Sequence, residues 1–326
     1  MQLAERAVRR LEEFGVPAIA VAVIRSDGID TAVVGHRRLA GADPAQEGDR
    51  FHLGSNTKAM TATLAAIEVE RGHIAWDTRA RDVLAIPGAH PGVTLTTLLT
   101  HAAGVRPLEE DEEIAALDLP AGSPTERRLE TARILLEDEP AFDPGSAHRY
   151  SNGGYAIAAS MLERVVDTPW ETLMTAEIFE PLEMDAGLGW PAQVWGHTDE
   201  DGELKPSDPD GPYRLGPETA PAGDVSATIH SYAKFVQMHL RGLRGASALV
   251  SPETFRHLHT PDEGYAYGWG VQQFEGATAS VHSGSADTFY AVVVLQAERD
   301  LAVATVTNAA GERAQKAAVE LTRELV

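Results

Sequence analysis

Hydrophobic positions near both ends of the chain run in short strand-like blocks, whereas those between them recur mostly at helical spacing. Residues 2–14 read as an amphipathic helix closed by Gly15. Val16-Pro-Ala-Ile-Ala-Val-Ala-Val-Ile24 reads as a strand that turns at Ser26-Asp-Gly28 into a second strand over 31–38. From about residue 73 to 262 the pattern is helical and irregular. Short helices are predicted at 76–84, 94–101 and 252–258, longer ones at 124–137, 155–166, 167–185 and 228–240, and a Gly/Pro/Asp-rich stretch runs from Gly187 to Pro221. Strand-like blocks return at 267–274, 279–282, 288–296 and 301–308, before a closing amphipathic helix at 312–326. Strands at both ends around a helical middle predict an α/β fold of the α+β type: an antiparallel sheet formed by both chain termini with flanking helices, plus an inserted, mostly helical lobe. The sheet-and-helix lobe takes residues 1–72 and 263–326 and the helical lobe 73–262. No repeat or linker divides the chain, so 1–326 reads as one unit with its site in the cleft between lobes.

The stretch 51–72 carries the first candidate chemistry. Met60, Leu64, Ile67 and Val69 recur near helical spacing, Ala59, Ala62, Ala65 and Ala66 raise helix propensity, and Gly72 follows Arg71 as a stop. Ser55 sits at the start of this helix just after Gly54. Lys58, three residues on, shares its face. A serine at a helix N-terminus has backbone N–H groups and a positive dipole end beside it, which suits a nucleophile whose attack creates an oxyanion. A lysine desolvated enough to lose its proton can activate that hydroxyl. The plainer account is a helix-capping serine and a solvated lysine. With 14 serines and 4 lysines, coincidence supplies such pairs, and Ser231 with Lys234 is another.

Composition narrows the classes. A length of 326 residues with 43% hydrophobic content fits a globular chain with a large core. No run approaches the ~18 apolar residues of a membrane span. The charged opening, Met-Gln-Leu-Ala-Glu-Arg, does not read as a secretory leader; this implies a cytoplasmic protein as written, or a periplasmic or secreted one if a leader was removed. With no cysteine there is no disulfide, thiolate nucleophile or cysteine metal site. The net charge of −22 argues against nucleic acid as a partner, since phosphate binding needs a basic patch. The acidic runs at 109–113, 137–139 and 199–201 read as solvated faces. Basic residues that are nearly all arginine fit a salty habitat as well as GC-rich coding.

Two further stretches complete a constellation. Tyr150-Ser-Asn152 lies in a loop before a helix. Tyr150 can take the proton of Ser55 if a charged Lys58 favours its phenolate, and Asn152 can hold a substrate amide through both its donor and its acceptor. His282-Ser283-Gly284-Ser285 follows a strand. A glycine there lets substrate lie along the strand edge, and the backbone N–H of Ser285 can join that of Ser55 as an oxyanion hole. Each motif is weak alone: His52-Leu-Gly54 and His90-Pro-Gly92 match the third as well.

Taken in order, Ser-x-x-Lys at a helix start, Tyr-x-Asn in mid-chain and His-x-Gly on a late strand resemble the serine β-lactamase and D,D-peptidase (penicillin-recognising) superfamily, in its class C, carboxypeptidase and esterase branch. Leu98-Leu-Thr-His-Ala-Ala-Gly104, Pro144-Gly145, Pro221-Ala-Gly-Asp224 and Thr288-Phe-Tyr290 extend the resemblance across the chain, whereas no Tyr-x-Asn follows the Ser231 pair. The resemblance implies a β-lactamase/transpeptidase-like fold, with Ser55 as acylated nucleophile and Lys58 with Tyr150 as its general base. Asn152, His282, Ser283 and Gly284 would position substrate, and the N–H groups of Ser55 and Ser285 would form the oxyanion hole. No cofactor and no metal are implied. His282 departs from the Lys-Thr-Gly of many β-lactamases, which points to carboxypeptidase or esterase activity before strong β-lactamase activity. His101 is expected to have a structural role at a turn. Trp190 and Trp195 are expected either in the core or on the leaving-group side, and loops 105–124 and 187–221 to shape the pocket.

Three functional classes compete on these residues. The first is a serine hydrolase acting on a small ester, amide or lactam, whose partner is a small-molecule or short-peptide substrate with no obligate protein partner. The second is a catalytically silent binding module recognising a peptide or cell-wall fragment. The third is a metal-dependent hydrolase built on scattered histidines such as His257 and His259.

Overall fold

The structure, a computed structural model, describes residues 2–211, 215–262 and 264–326. Residues 212–214, within the predicted pocket-shaping loop 187–221, lie outside the described residues, as do Met1 and Glu263 at the ends of the predicted lobe segments. In chain order the strands are β1 (Ala18–Arg25), β2 (Gly28–Gly35), β3 (Arg50–His52), β4 (Ala186–Leu188), β5 (Gly196–Glu200), β6 (Glu203–Ser207), β7 (Val225–Thr228), β8 (Gly270–Phe274), β9 (Ala277–Ser285), β10 (Tyr290–Gln296) and β11 (Leu301–Thr307). The helices are α1 (Leu3–Phe14), α2 (Thr57–Glu70), α3 (Ala80–Val83), α4 (Leu95–Leu99), α5 (Asp111–Ala115), α6 (Pro124–Glu137), α7 (Asn152–Val166), α8 (Trp170–Met174), α9 (Ala220–Gly223), α10 (Ile229–Leu243), α11 (Pro252–Leu258) and α12 (Gly311–Leu325).

Both ends of the chain meet in one antiparallel sheet of order β2-β1-β11-β10-β9-β8. β1 pairs with β11, Ile19 opposite Thr307 and Ala22 opposite Ala304. Period-2 alternation then gives the sheet two buried faces. Ile19, Val21 and Val303 join the side chains of α1 and α12 in one core. Ala18, Ala20, Ala22 and Ala304 turn the other way, into the larger core shared with α2 and α10. Small residues on that inner face let α10 lie close against β1 and β11. On the outer side α1 and α12 are tied together by Arg9 and Arg10 on Glu324.

α2 is buried from Thr57 to Glu68, with α7, α8, α9 and α11 packed around it. A helix enclosed on every side is apolar all round, which explains its alanines better than amphipathicity does. The predicted single helix from Phe51 is divided: β3 ends at His52, a 3₁₀ turn spans Gly54–Asn56, and α2 begins only at Thr57. Gly54 causes the break, with φ +53° in the left-handed region. The middle of the chain also holds strands that the sequence pattern conceals. β7 pairs with β3 and β4, and β5 with β6. They are three to five residues long, too short to carry a period. α6 starts where predicted, its Ser123 and Glu126 forming a reciprocal cap.

Candidate active site

Two backbone crossings bring the segments together. A Cβ on Gly284 would stand 2.2 Å from the carbonyl oxygen of Leu53 and 2.6 Å from the nitrogen of Ser55; one on Gly54 would stand 2.8 Å from the nitrogen of Ser285. β9 and the 3₁₀ turn therefore touch through glycine alone, and the backbone nitrogens of Ser55 and Ser285 come to the same place.

Around Ser55 Oγ the side chains converge. Lys58 Nζ lies 3.1 Å away, and Tyr150 donates its phenol hydrogen to Oγ at 2.8 Å. Lys58 Nζ also donates to Asn152 Oδ1 at 2.8 Å and to the Ala222 carbonyl oxygen at 2.9 Å. Asn152 Nδ2 donates to the Leu108 carbonyl oxygen at 2.9 Å, which fixes which end of the amide faces the lysine. α7 begins at Asn152, after Ser151 caps it by accepting from the N–H of Gly154. The Tyr150 side chain thus leaves the chain just before the helix.

Burial sets the protonation states. Lys58 is fully buried, and desolvation drives its pKa well below the usual lysine value, against a smaller upward pull from Glu109. Desolvation pushes the Tyr150 phenol above its ordinary range, opposed by the bond to Ser55 and assisted by Glu109. Both directions run against a tyrosinate beside a charged lysine: each group is short of water, which favours its neutral form. A neutral amine has two hydrogens and one lone pair. In that form the two hydrogens go to Asn152 Oδ1 and the Ala222 carbonyl, and the lone pair is left for the Ser55 hydroxyl 3.1 Å away.

β9 divides the predicted substrate-binding residues. His282 and Gly284 face inward. Alternation turns the Ser283 side chain to the opposite face, where it lines a cavity of about 210 Å³ with Tyr290 and, from α12, Val319 and Thr322. Ser283 therefore offers the inner face only backbone. His282 Nδ1 lies 2.8 Å from the Ser283 carbonyl oxygen, and its Nε2 lies 3.1 Å from Tyr265 Oη. Burial first, and positive charge on the Lys58 amine second, lower the pKa of His282 to about 3; burial alone acts while that amine is neutral.

Other expectations resolve into packing. His101 Nδ1 accepts from the N–H of Ser151, and its ring packs 4.4 Å from that of Tyr150, so it buttresses the Tyr150 turn. Trp190 stacks on His52 at 4.4 Å and donates to Thr288, and Trp195 lies under the Arg38 guanidinium. His257 packs on Trp76 and Tyr267, while His259 bonds to His239 and Ser280. Sequence reasoning missed Tyr265, Glu109 and the Ala222 carbonyl. Only the last had a signal, in the Pro221-Ala-Gly-Asp224 stretch.

A family model described as Beta-lactamase matches residues 3–325. Relatives in sequence include the unguisins hydrolase ungD of Aspergillus violaceofuscus, 25% identical over 91% of this chain. This chain covers 59% of that protein's length, less than two thirds. Penicillin-binding protein 4 of Amycolatopsis lactamdurans is 26% identical over 96% of this chain and 86% of its own. Among solved structures, the octameric penicillin-binding protein homologue from Pyrococcus abyssi shares 25% identity at a TM-score of 0.80, covering 97% of this chain and 75% of that one.

Proposed function

The chain belongs to the β-lactamase family, whose matched relatives include a hydrolase, and on that premise we propose that it is a serine hydrolase that forms an acyl-enzyme on Ser55 and cleaves a small ester, amide or lactam. One observation carries this reading: Ser55 Oγ lies within hydrogen-bond reach of both Lys58 Nζ and Tyr150 Oη, where burial favours the unprotonated amine.

The proton inventory then gives each residue one task. Ser55 Oγ attacks the substrate carbonyl carbon while its proton passes to the Lys58 lone pair. The carbonyl oxygen becomes the oxyanion, held by the N–H groups of Ser55 and Ser285. As the bond from the carbonyl carbon to the leaving atom breaks, Tyr150 gives its proton to that atom and regains one from Lys58. Water repeats the sequence in reverse to free the acid and restore Ser55. Asn152 keeps the lysine oriented. The tyrosine is a proton donor in this scheme and the lysine is the base, because the phenol holds its proton more tightly in this setting.

The test is to incubate the protein with p-nitrophenyl acetate, nitrocefin and a D-Ala-D-Ala peptide in parallel, following adduct mass against product. At least one should acylate Ser55 and turn over, and Ser55→Ala should abolish both mass shift and turnover. Undiminished hydrolysis by Ser55→Ala would refute the assignment. Tight binding without product would favour a recognition module of the same fold.

A further inference from the structure

His282 is locked in one tautomer by its surroundings. The Ser283 carbonyl oxygen is an acceptor only, so Nδ1 carries the ring proton and donates to it at 2.8 Å. Nε2 then accepts the phenol hydrogen of Tyr265 at 3.1 Å. Each ring therefore spends its polar hydrogen inside the protein. Both rings stand on the Tyr150 side of Ser55: His101 packs 4.4 Å from the Tyr150 ring and 4.6 Å from that of Tyr265, and the Tyr265 ring lies 6.1 Å from that of His282. In the mechanism above Tyr150 protonates the leaving atom, so the departing group lies against this wall.

The charges nearby have the wrong sign for an anion. Both Lys58 N–H bonds are taken by Asn152 and Ala222. Glu109 bears as an anion on both Lys58 and Tyr150, and the Lys58 amine, short of water, favours its neutral form. Glu109 follows Leu108, whose carbonyl oxygen accepts from Asn152 Nδ2, so the backbone that carries this exposed acid is tied to the site. A carboxylate placed against the Tyr265 and His282 rings would lose its water and gain no donor from either of them; a further imidazole beside Tyr265 is that of His148, exposed and 5.6 Å from its ring.

We propose that Tyr265 and His282 form a neutral, donor-poor wall on the leaving-group side which, together with Glu109, selects acyl donors whose departing group is uncharged or cationic and rejects those carrying a carboxylate there. This rests on the acyl-enzyme reading and narrows its substrate class.

Three thioacetates with different charge on the departing thiol test it: acetylthiocholine, S-propyl thioacetate and 3-(acetylthio)propanoate, with thiol release followed by colour and Ser55 acetylation by mass. The kcat/KM of the propanoate is expected to fall below that of the other two by about tenfold or more. Glu109→Gln should shrink the ratio of cationic to anionic kcat/KM by about three- to tenfold. Tyr265→Phe, which leaves Nε2 of His282 free to take a proton, should raise turnover of the propanoate relative to the propyl ester. Turnover of all three without charge preference would overturn this inference and leave the hydrolase reading standing. So would ratios that stay fixed in both variants. If no thiol is released and Ser55 gains no acetyl group, the hydrolase reading falls and this inference with it.

Discussion

Lys58 meets three oxygen partners with a group that has two hydrogens when neutral and three when charged. Its burial decides between the two states, and the consequence is visible in pH dependence. The folded pKa lies well below 10.5, so the unprotonated base is present on the alkaline side of that depressed value and lost as pH falls through it. A profile of kcat/KM against pH should fall on an acid limb whose midpoint lies well below the ordinary lysine value. A rate still climbing above pH 9 would mean that the resting lysine is charged. Ser55, Lys58, Tyr150 and Asn152 could be named as candidates from the sequence because Ser-x-x-Lys, Tyr-x-Asn and His-x-Gly occur in one order that resembles a known family, although each motif is weak alone. Tyr265 and Glu109 were not legible. Tyr265 reaches the site through a turn before β8 with no motif of its own, and Glu109 sits at the head of an acidic run that resembles any solvated face.

Between α2 and β9 runs a buried chain of uncharged hydrogen bonds. Thr63 donates to the Ala59 carbonyl at 2.8 Å, so it accepts from His239 Nε2 at 3.1 Å; His239 Nδ1 accepts from His259 Nε2 at 2.9 Å, and His259 Nδ1 from Ser280 at 2.7 Å. Burial depresses both histidines, His259 to about 3 and His239 well below 6.5. An unfolded chain binds protons at both once pH drops below about 6.5, and the folded chain does not, so stability is lost as pH falls from there toward 3. The slope is on the order of 1 kcal/mol per pH unit for each histidine. Thermal unfolding of wild type and His259→Gln across pH 7 to 4 measures it: the variant should show the shallower fall. Equal slopes would remove the idea. The sequence placed α6, α7, α10 and the terminal strands within a few residues, since long periodic segments announce themselves. It missed β4 to β7 and read a single helix across Gly54, where backbone freedom rather than side-chain pattern decides.

At the scale of the whole molecule, 49 acidic residues oppose 27 basic ones. Exposed ion pairs such as Lys205–Glu200 and Lys316–Glu312 contribute little, so screening them costs little, whereas a net −22 repels itself throughout. Added KCl should therefore raise the melting temperature, by several degrees between about 0.05 and 1 M, because the screening length shrinks from over 10 Å to about 3 Å. A melting temperature that falls with salt would show the ion pairs to dominate. The α+β arrangement was readable from strands at both ends of the sequence, and the structure closes them into one sheet. That closure has a consequence during translation. β11, the neighbour of β1, is made some 280 residues after it, and the strand that meets Ser55 arrives nearly as late. Over that interval the nascent chain exposes an unpaired, aliphatic β1 edge that needs shielding from its neighbours, and no chain that stops short of β9 holds the complete candidate site.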